Sequence, residues 1–363
     1  MRGSAGSVTP RGSAGTAIRR AALSLLAVVA ALLALGGASG LAQSATTPDY
    51  VFVHDPSMAG QAGAYYLFST GDPAGKIGGG NIQIRTSSDV RDWRYAGTVF
   101  ASIPAWITAA LGPIPNLWAP DISYFGGRWH LYYAGSSFGS NNSVIALATT
   151  PTLDPRSPQY KWTDDGLVLR STSADDFNAI DPSLVQGPSG TKWLAFGSFW
   201  SGIKMVQLDP ATGKPASAAP AIYSLAQRPA PDALEGAGIT SHGGYYYLFA
   251  SAGFCCRGIG STYTIIVGRS PTITGPYVDP GGTSMMNDGG MELQGSDGPM
   301  IGPGSESIFS DGSQAFLVYH YYDAFHNGDP WVQVRPLEWT ASGWPVTGAP
   351  RTPVPGDPSA PTP

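Results

Sequence analysis

One phrase recurs five times along the chain, and this repeat constrains the fold more than any other feature. Each copy has an acidic or polar residue, a short apolar stretch, a glycine-containing turn, and then a strand of aromatic and aliphatic residues. The copies begin at Asp55, Asp121, Asp181, Glu235 and Ser305. One leucine in each copy aligns them at intervals of 54 to 69 residues: Leu67, Leu131, Leu194, Leu248 and Leu317. The chain is therefore predicted to contain five similar units.

Each unit carries the pattern of a β-hairpin. Alternating or wholly apolar strand residues flank a turn such as Gly126-Gly127, Ser189-Gly190, Gly243-Gly244 or Asp311-Gly312. Two hairpin strands, with two more in the remaining ~35 residues, make a four-stranded antiparallel sheet, the blade of a propeller. Charged residues are only 12% of the chain, which disfavours helical bundles. We therefore predict an all-β fold, a five-bladed β-propeller over residues 47–345. A β-sandwich is the alternative, because the intervals vary.

The two ends of the chain lack the repeat. Arg19 and Arg20 precede an apolar run over residues 21–35, and small residues follow it, which is the pattern of a secretory signal peptide and leader over residues 1–46. The run is shorter than the ~20 residues of a typical membrane span, so cleavage is favoured over an uncleaved anchor. We expect a secreted, extracellular protein with no stable membrane insertion after cleavage. Residues 346–363 are rich in proline and are predicted to be a disordered tail.

Charge and cysteine content exclude several partners. Four of the 20 basic residues and none of the 25 acidic residues lie in residues 1–46, so the mature chain carries a net charge of −9. This charge argues against a nucleic-acid partner. The two cysteines, Cys255 and Cys256, are adjacent, which excludes a site of several thiolates. The sequence leaves open a vicinal disulfide or two buried thiols.

The acidic lead residues occupy nearly the same register. Asp55, Asp121, Asp181 and Glu235 precede their aligned leucines by 12, 10, 13 and 13 positions. Because equivalent blade positions converge on the axis of a propeller, we expect four carboxylates to face one central cleft. Their mutual repulsion and desolvation would raise some pKa values, as a general acid requires. The structural alternative is that each aspartate caps a turn before proline, but recurrence in register favours function.

Hydrolysis of an acetal requires two carboxyl groups of this kind. A protonated one donates to the leaving oxygen, and an ionised one activates water. Aromatic side chains in or soon after the repeated phrases suit the apolar faces of sugar rings: Trp118, Phe138, Trp200 and Phe254. Each of these is alternatively a core residue. The pattern as a whole predicts a glycosidase.

Several short motifs in a fixed order carry a family resemblance. They include His54-Asp55-Pro56-Ser57, Asn116-Leu117-Trp118-Ala119-Pro120-Asp121, Asn178-Ala179-Ile180-Asp181-Pro182, Gly197-Ser198-Phe199-Trp200, Glu235-Gly236-Ala237, Phe254-Cys255-Cys256-Arg257-Gly258 and Ser261-Thr262-Tyr263. Together they resemble glycoside hydrolase family 43, specifically its endo-1,5-α-L-arabinanases, over roughly residues 48 to 345. Several motifs in the right order are more specific than any one of them.

This resemblance implies a five-bladed propeller that cleaves α-1,5-linked L-arabinan internally by inversion, as a monomer acting on a polysaccharide or oligosaccharide. Asp55 matches the general base, Glu235 the general acid, and Asp181 the carboxylate that orients the acid and adjusts its pKa. The expected substrate-binding residues are His54, Trp118, Asp121, Phe138, Ser198, Trp200, Phe254 and Arg257. For Asp121, which matches the Trp-Ala-Pro-Asp segment of the family, the resemblance implies a role that is either structural or substrate-lining.

Two positions depart from the family pattern. The family usually has histidine in a fifth-blade Gly-Pro-Gly-His phrase near a calcium ion on the axis, whereas this chain has Ser305 there. A neutral hydroxyl cannot replace an imidazole, so the calcium expectation is in doubt and His320 is left as a candidate metal ligand. Glu306 is adjacent, but strand alternation predicts that its side chain points away from the axis. Gly236 stands where the family usually has alanine.

Other functions also fit the motifs. An exo-acting α-L-arabinofuranosidase or β-xylosidase of the same family differs in the loops that close the cleft, which the sequence does not reveal. A carbohydrate-binding propeller without catalysis is suggested by Ser305 and by the altered acid motif. His54 and His320 are alternatively satisfied interior histidines.

Overall fold

The computed structural model describes residues 52–72 and 81–354 of the 363-residue chain. Within these residues it contains twenty β-strands and one α-helix, so the predicted all-β class is confirmed. The proposed signal peptide and leader, residues 1–46, lie outside the described residues. None of the helices in the described ranges is long and apolar enough to cross a bilayer.

The strands form five four-stranded antiparallel sheets. Blade 1 contains β1 (Ser57–Gln61), β2 (Ala64–Ser69), β3 (Gln83–Ser87) and β4 (Arg94–Thr98). Blade 2 contains β5 (Trp118–Phe125), β6 (Arg128–Gly135), β7 (Ser143–Thr150) and β8 (Thr163–Ser171). Blade 3 contains β9 (Ser183–Gln186), β10 (Lys192–Phe196), β11 (Ile203–Leu208) and β12 (Ile222–Ala226).

Blade 4 contains β13 (Leu234–His242), β14 (Tyr245–Ala252), β15 (Thr264–Ser270) and β16 (Met291–Gln294). Blade 5 contains β17 (Met300–Ser310), β18 (Ala315–Asp323), β19 (Asp329–Trp339) and β20 (Pro345–Thr347). The helix α1 (Ala105–Leu111) connects blades 1 and 2, and Gly112 ends it at a φ of 83°. The five-bladed propeller predicted from the repeat is confirmed.

Each sheet has its strands in chain order, and the first strands of neighbouring blades contact one another. The first strand is therefore innermost, and its hairpin to the second strand turns where the sequence predicts. The turns after β5 and β13, for example, are Gly126-Gly127 and Gly243-Gly244, with positive φ throughout. Glycine adopts this conformation without the steric cost of a Cβ atom.

Packing between blades explains why the second strands are apolar. β6 and β18 are buried along almost their whole length, because neighbouring blades cover both faces of each sheet. The five leucines that align the repeats are each 0% exposed: Leu67, Leu131, Leu194, Leu248 and Leu317. The hydrophobic core is therefore distributed around the ring, between blades.

A hydrogen bond that uses a side chain joins every pair of neighbouring blades near the axis. Around the ring these bonds are Ile122 N to Ser57 Oγ, Leu184 N to Asp121 Oδ2, Gly236 N to Asp181 Oδ2, Ser305 N to Ser251 Oγ, and Ser307 Oγ to Pro56 O, at 2.7 to 3.1 Å. The last of these bonds closes the ring between blades 5 and 1. The blades are therefore held in register around the axis.

The packed chain extends beyond residue 345, where the sequence predicts a disordered tail. β20 continues to Thr347, and Thr352 is 2% exposed. The Thr352 hydroxyl donates to Gln333 Oε1 at 2.6 Å, and the Arg351 N–H donates to the Val334 carbonyl at 2.8 Å. The predicted start of disorder at residue 346 is therefore wrong, because residues of β19 form hydrogen bonds with this segment and hold it in place. Residues 355–363 of the predicted tail lie outside the described residues.

Candidate active site

One cavity of about 970 Å³ is lined by carboxyl groups from three different blades: Asp55, Asp181 and Glu235. Asp55 and Asp181 lie just before the innermost strands of blades 1 and 3, and Glu235 lies at the start of β13. Asp55 and Asp181 have φ of 52° and 55°, a left-handed conformation that aspartate tolerates better than most residues. The same backbone turn thus delivers both aspartates to the axial end of their blades.

Asp55 is surrounded by hydrogen-bond donors. Thr70 donates to Oδ2 at 2.5 Å, and His54 Nδ1 lies 3.3 Å from Oδ1. Burial raises the pKa of Asp55, but the interactions with His54, His320 and Thr70 together outweigh burial and hold the pKa below its usual range. Asp55 is therefore an ionised carboxylate, suited to accept a proton from water.

Glu235 is the opposite case. Burial raises its pKa, and the charge of Asp55 adds to the increase, although hydrogen bonds from Ser198 and Tyr263 oppose it. Ser198 Oγ donates to Oε2 at 2.6 Å, and the Tyr263 hydroxyl donates to Oε1. Glu235 is therefore a carboxyl group that keeps its proton to a higher pH than usual, as a general acid must.

Asp181 shares the environment of Glu235. Burial raises its pKa well above the usual range, followed by repulsion from Glu235 and Asp55. Its Oδ2 accepts the N–H of Gly236, the residue after Glu235, at 3.1 Å. Because Asp181 and Glu235 repel each other when both are ionised, the pair keeps one proton to a higher pH than burial alone would give.

The expected substrate-binding residues mostly line the same cavity: His54, Trp118, Phe138, Ser198, Trp200, Phe254 and Arg257. Phe138 is 81% exposed and so presents a free aromatic face. The Arg257 guanidinium stacks over the ring of Phe254, 4.1 Å from its centroid. One face of Phe254 is thus already covered within the protein, and Arg257 carries the positive charge at that wall.

Asp121 is an exception, since it does not line the large cavity. It is 9% exposed and accepts the Leu184 N–H at 2.9 Å, with Ser57 Oγ at 3.5 Å. Burial raises the pKa of Asp121 to about 6. The expectation that all four carboxylates face one cleft therefore holds for three of them, because Asp121 is turned inward to join blades 2 and 3.

A second, small cavity of about 30 Å³ lies among the inner strands. The lead residues of four repeats reach it: Asp55, Asp121, Asp181 and Ser305. Glu306 also lines it, although alternation predicts that its side chain points away. Register shifts between Ile301 and Gly304 and between Gly304 and Ser307 break the alternation of β17.

Glu306 is buried at this cavity, at 4% exposure. Its Oε2 accepts from Ser251 Oγ at 2.9 Å, whereas Oε1 has no hydrogen-bond partner among the described residues. Burial raises the pKa of Glu306 to about 8. The cavity has room for about one water molecule.

The residues of this site do not fit a metal ion held by histidine. The nearest ligand-capable atoms of His54, Asp55 and His320 lie within 4.8 Å of one another. However, His320 Nδ1 accepts the backbone N–H of Asp55 at 3.2 Å, and its Nε2 lies 3.3 Å from the Tyr322 hydroxyl. His320 is fully buried, and neither ring nitrogen is left to bind an ion. Ser305, which replaces the family histidine, offers only a neutral hydroxyl.

Cys255 and Cys256 form a vicinal disulfide on the wall of the large cavity. Cys256 is exposed and Cys255 is half-buried, so the alternative of two buried thiols does not apply. The bridge lies between Phe254 and Arg257, in the loop that follows β14.

The sequence profile of the glycosyl hydrolases of family 43 matches residues 50–345. The chain belongs to glycoside hydrolase family 43. An extracellular endo-α-(1→5)-L-arabinanase from Bacillus subtilis is 42% identical over 298 residues, or 81% of this chain and 87% of that protein. An extracellular exo-α-(1→5)-L-arabinofuranosidase from Cellvibrio japonicus is 37% identical over 89% of this chain and 91% of that protein.

Solved structures agree with this assignment. A Cellvibrio cellulosa α-L-arabinanase in complex with arabinohexaose superimposes with a TM-score of 0.76 at 37% identity, covering 82% of this chain and 96% of that chain. This family 43 protein is therefore a glycoside hydrolase, as the motifs predict.

The sequence assigned no role to three residues that form hydrogen bonds at the site. Their partners are Glu235, Asp55 and His54. Tyr263 donates to Glu235, Thr70 donates to Asp55, and Tyr322 contacts His54. Tyr263 lies in one of the family motifs and Thr70 directly follows β2, but nothing in a strand pattern indicates which hydroxyl reaches a carboxylate. Tyr322 lies 268 positions from His54, and no local signal connects them.

Proposed function

We propose that this family 43 hydrolase is a secreted, monomeric enzyme that cleaves α-1,5-linked L-arabinan internally with inversion of the anomeric configuration. The observation that carries the proposal is that two carboxyl groups in one cavity have pKa values displaced in opposite directions. The pKa of Asp55 lies below its usual range, and the pKa of Glu235 lies above its usual value. A single-displacement hydrolysis needs such a pair.

In this mechanism Asp55 accepts a proton from a water molecule, and the water oxygen attacks the anomeric carbon. The bond from that carbon to the leaving oxygen breaks as Glu235 donates its proton to the oxygen. Asp181 acts through Glu235: its Oδ2 accepts the N–H of Gly236, the residue after the acid, and repulsion between the two carboxylates disfavours the ionisation of both at once. Both carboxyl groups then return to their starting states by proton exchange with solvent.

The substrate is proposed from the relatives and from the cavity. The relatives are named for arabinan or its arabinose units, and one solved relative holds arabinohexaose. A cavity of about 970 Å³ with exposed Phe138 and half-buried Trp118 and Trp200 accommodates several sugar units. We propose endo action because the Bacillus subtilis relative is named as an endo-acting arabinanase. The Cellvibrio japonicus relative, which is exo-acting, favours an exo-arabinofuranosidase as the second candidate.

Secretion is supported by the N-terminal pattern and by the word extracellular in the names of two relatives. A sugar-binding propeller without catalysis is disfavoured, because both a protonated and an ionised carboxyl group are retained in the cavity. A β-xylosidase is disfavoured because the relatives described above are named for arabinan-directed enzymes.

Product analysis tests the proposal. Linear arabinan and xylan are digested side by side, and early products are sized and followed by proton NMR. We expect a range of arabino-oligosaccharides, no xylan cleavage and an inverted anomeric proton in the nascent product. Monomer alone from the start would move the assignment to the exo-acting candidate. A retained anomer would contradict the inverting mechanism.

A further inference from the structure

The hydroxyl of Tyr322 lies at the centre of a hydrogen-bond network behind Asp55. Tyr322 is 2% exposed and lies near the end of β18. Its hydroxyl oxygen is 2.7 Å from the backbone nitrogen of Cys256, 2.8 Å from His54 Nε2 and 3.3 Å from His320 Nε2. Burial raises the pKa of Tyr322, so the hydroxyl keeps its single proton.

The backbone N–H of Asp55 determines which ring nitrogen of His320 carries the proton. The N–H of Asp55 can only donate, and it points at His320 Nδ1 from 3.2 Å. Nδ1 must therefore be an unprotonated acceptor, and the ring proton is on Nε2. That proton is donated to the Tyr322 hydroxyl.

The N–H of Cys256 is also a donor to this hydroxyl, since a backbone N–H can only donate. The hydroxyl oxygen has two acceptor positions, and the N–H of Cys256 and the Nε2–H of His320 fill them. The hydroxyl must therefore donate its own proton, and His54 Nε2, at 2.8 Å, is the acceptor that faces it.

The hydrogen bond from Tyr322 determines the tautomer of His54. With Nε2 accepting from Tyr322, the proton of the neutral ring is on Nδ1, which faces Asp55 Oδ1 at 3.3 Å. Asp55 thus receives a hydrogen bond on each carboxylate oxygen, from His54 and from Thr70. The reverse tautomer would place two acceptors against each other at the carboxylate.

We propose that Tyr322 is a positioning residue for hydrolysis: its hydroxyl, held by the N–H of Cys256, keeps His54 in the tautomer that donates to Asp55. This inference rests on the proposed role of Asp55 as the general base. Donors on both oxygens hold the carboxylate plane in one orientation toward the attacking water.

The vicinal disulfide supports this arrangement. Cys256 has a φ of 65°, in the left-handed region, and its N–H is the atom that holds Tyr322. The covalent ring through Cys255 and Cys256 restricts the backbone between them and so limits the directions in which this N–H can point. Without the bridge, we expect the N–H to be less firmly directed at Tyr322.

A direct test reads the tautomer of His54 in the unaltered enzyme. The chain has only five histidines, so ¹⁵N-histidine labelling gives a resolvable spectrum. At about pH 8 we expect the Nδ1–H form for His54 and the Nε2–H form for His320. An Nε2–H form of His54 would overturn the inference without any variant being made.

The kinetic test is Tyr322→Phe, which removes only the hydroxyl. We expect kcat on arabinan to fall about tenfold, the effect of one lost hydrogen bond, with KM within about twofold. Tyr277→Phe is the matched control, because Tyr277 is 0% exposed and donates to the Ile273 carbonyl at 2.8 Å, away from the cavity. Unchanged kcat in folded Tyr322→Phe would overturn the inference.

Two outcomes distinguish a failure of the proposed function from a failure of this inference. If Asp55→Asn retains full activity, the role of Asp55 as the base is wrong. If Asp55→Asn is inactive while Tyr322→Phe equals the unaltered enzyme, only the positioning role is wrong.

A double-mutant cycle tests the part played by the disulfide. Replacing both Cys255 and Cys256 with serine should lower kcat severalfold in the unaltered background and much less in the Tyr322→Phe background, because the shared contact is already lost. Equal losses in the two backgrounds would overturn the link between the Cys256 turn and Tyr322.

Discussion

The backbone N–H of Gly236 donates to Asp181 Oδ2 at 3.1 Å, which ties the residue after Glu235 to the neighbouring blade. Gly236 has a φ of +63°, and a Cβ atom placed on it would lie 3.0 Å from the Cα atom of Ser305. Gly236 and Ser305 are the two departures from the family motifs, and they lie against each other. Glycine at position 236, in place of the usual alanine of the family, therefore leaves room for the backbone of Ser305.

Gly236→Ala should be destabilising and should lower kcat. The left-handed φ penalises any Cβ atom, and the close approach to the Ser305 backbone adds to that cost and displaces the N–H from Asp181. We expect a loss of about 2–3 kcal/mol in urea unfolding.

Gly63→Ala is the control that separates these two effects. Gly63 has a φ of +79°, but no atom lies within 4 Å of the position that a Cβ atom would take there. The substitution should cost only about 1 kcal/mol and leave kcat unchanged. Equal losses in both variants would contradict the contact between Gly236 and Ser305.

Glu235→Gln should separate substrates by their leaving groups. An amide cannot donate the proton that an arabinan leaving oxygen needs, so we expect arabinan cleavage to fall by about 10³. An aryl arabinoside with an acidic phenol needs no such proton and should retain most of its activity. An equal loss on both substrates would remove Glu235 from the acid role.

Ser198→Ala should shift the pH profile of the same step. The hydrogen bond from Ser198 lowers the pKa of Glu235, so its removal should raise that pKa further. Because the acid must be protonated, the basic limb of kcat against pH should move to higher pH. The profile measured on arabinan checks this, and a shift to lower pH would contradict it.

Glu306→Gln should change how stability depends on pH. Burial raises the pKa of Glu306 from 4.5 to about 8, so the folded state binds a proton that the unfolded state has lost between these values. Its contribution to stability is full below pH 4.5 and is lost as the pH rises toward 8. The variant should gain a few kcal/mol relative to the unaltered protein between about pH 5 and 8. Glu292→Gln, at an exposed carboxyl group, is the control and should show no such gain.

Removal of metal ions should leave hydrolysis intact. Both ring nitrogens of His320 are engaged, by the Asp55 N–H and by the Tyr322 hydroxyl, and Ser305 offers no imidazole. Dialysis against a strong chelator should therefore leave kcat on arabinan unchanged. A loss of activity that calcium restores would show that an ion is held by other groups.

The sequence by itself determined the blades and the approximate position of the carboxyl groups. A hairpin such as β5–β6 depends on residues close together in the chain, with Gly126-Gly127 supplying the turn and Leu131 the buried position. The repeat then places each lead residue at the axis, because equivalent positions of radially arranged blades meet there. Asp55 and Asp181 reach the cavity for this reason.

Only the tertiary structure decided which atoms those side chains meet. Asp121 leads its repeat as Asp55 does, but it lies two positions nearer its aligned leucine and turns to the Leu184 N–H. Glu306 faces the axis because register shifts in β17 break its alternation. Tyr322 reaches His54 across the closure between blades 5 and 1. Hydrogen bonds depend on displacements of less than an ångström between segments distant in sequence, and such displacements are set by how whole blades pack, not by any local pattern.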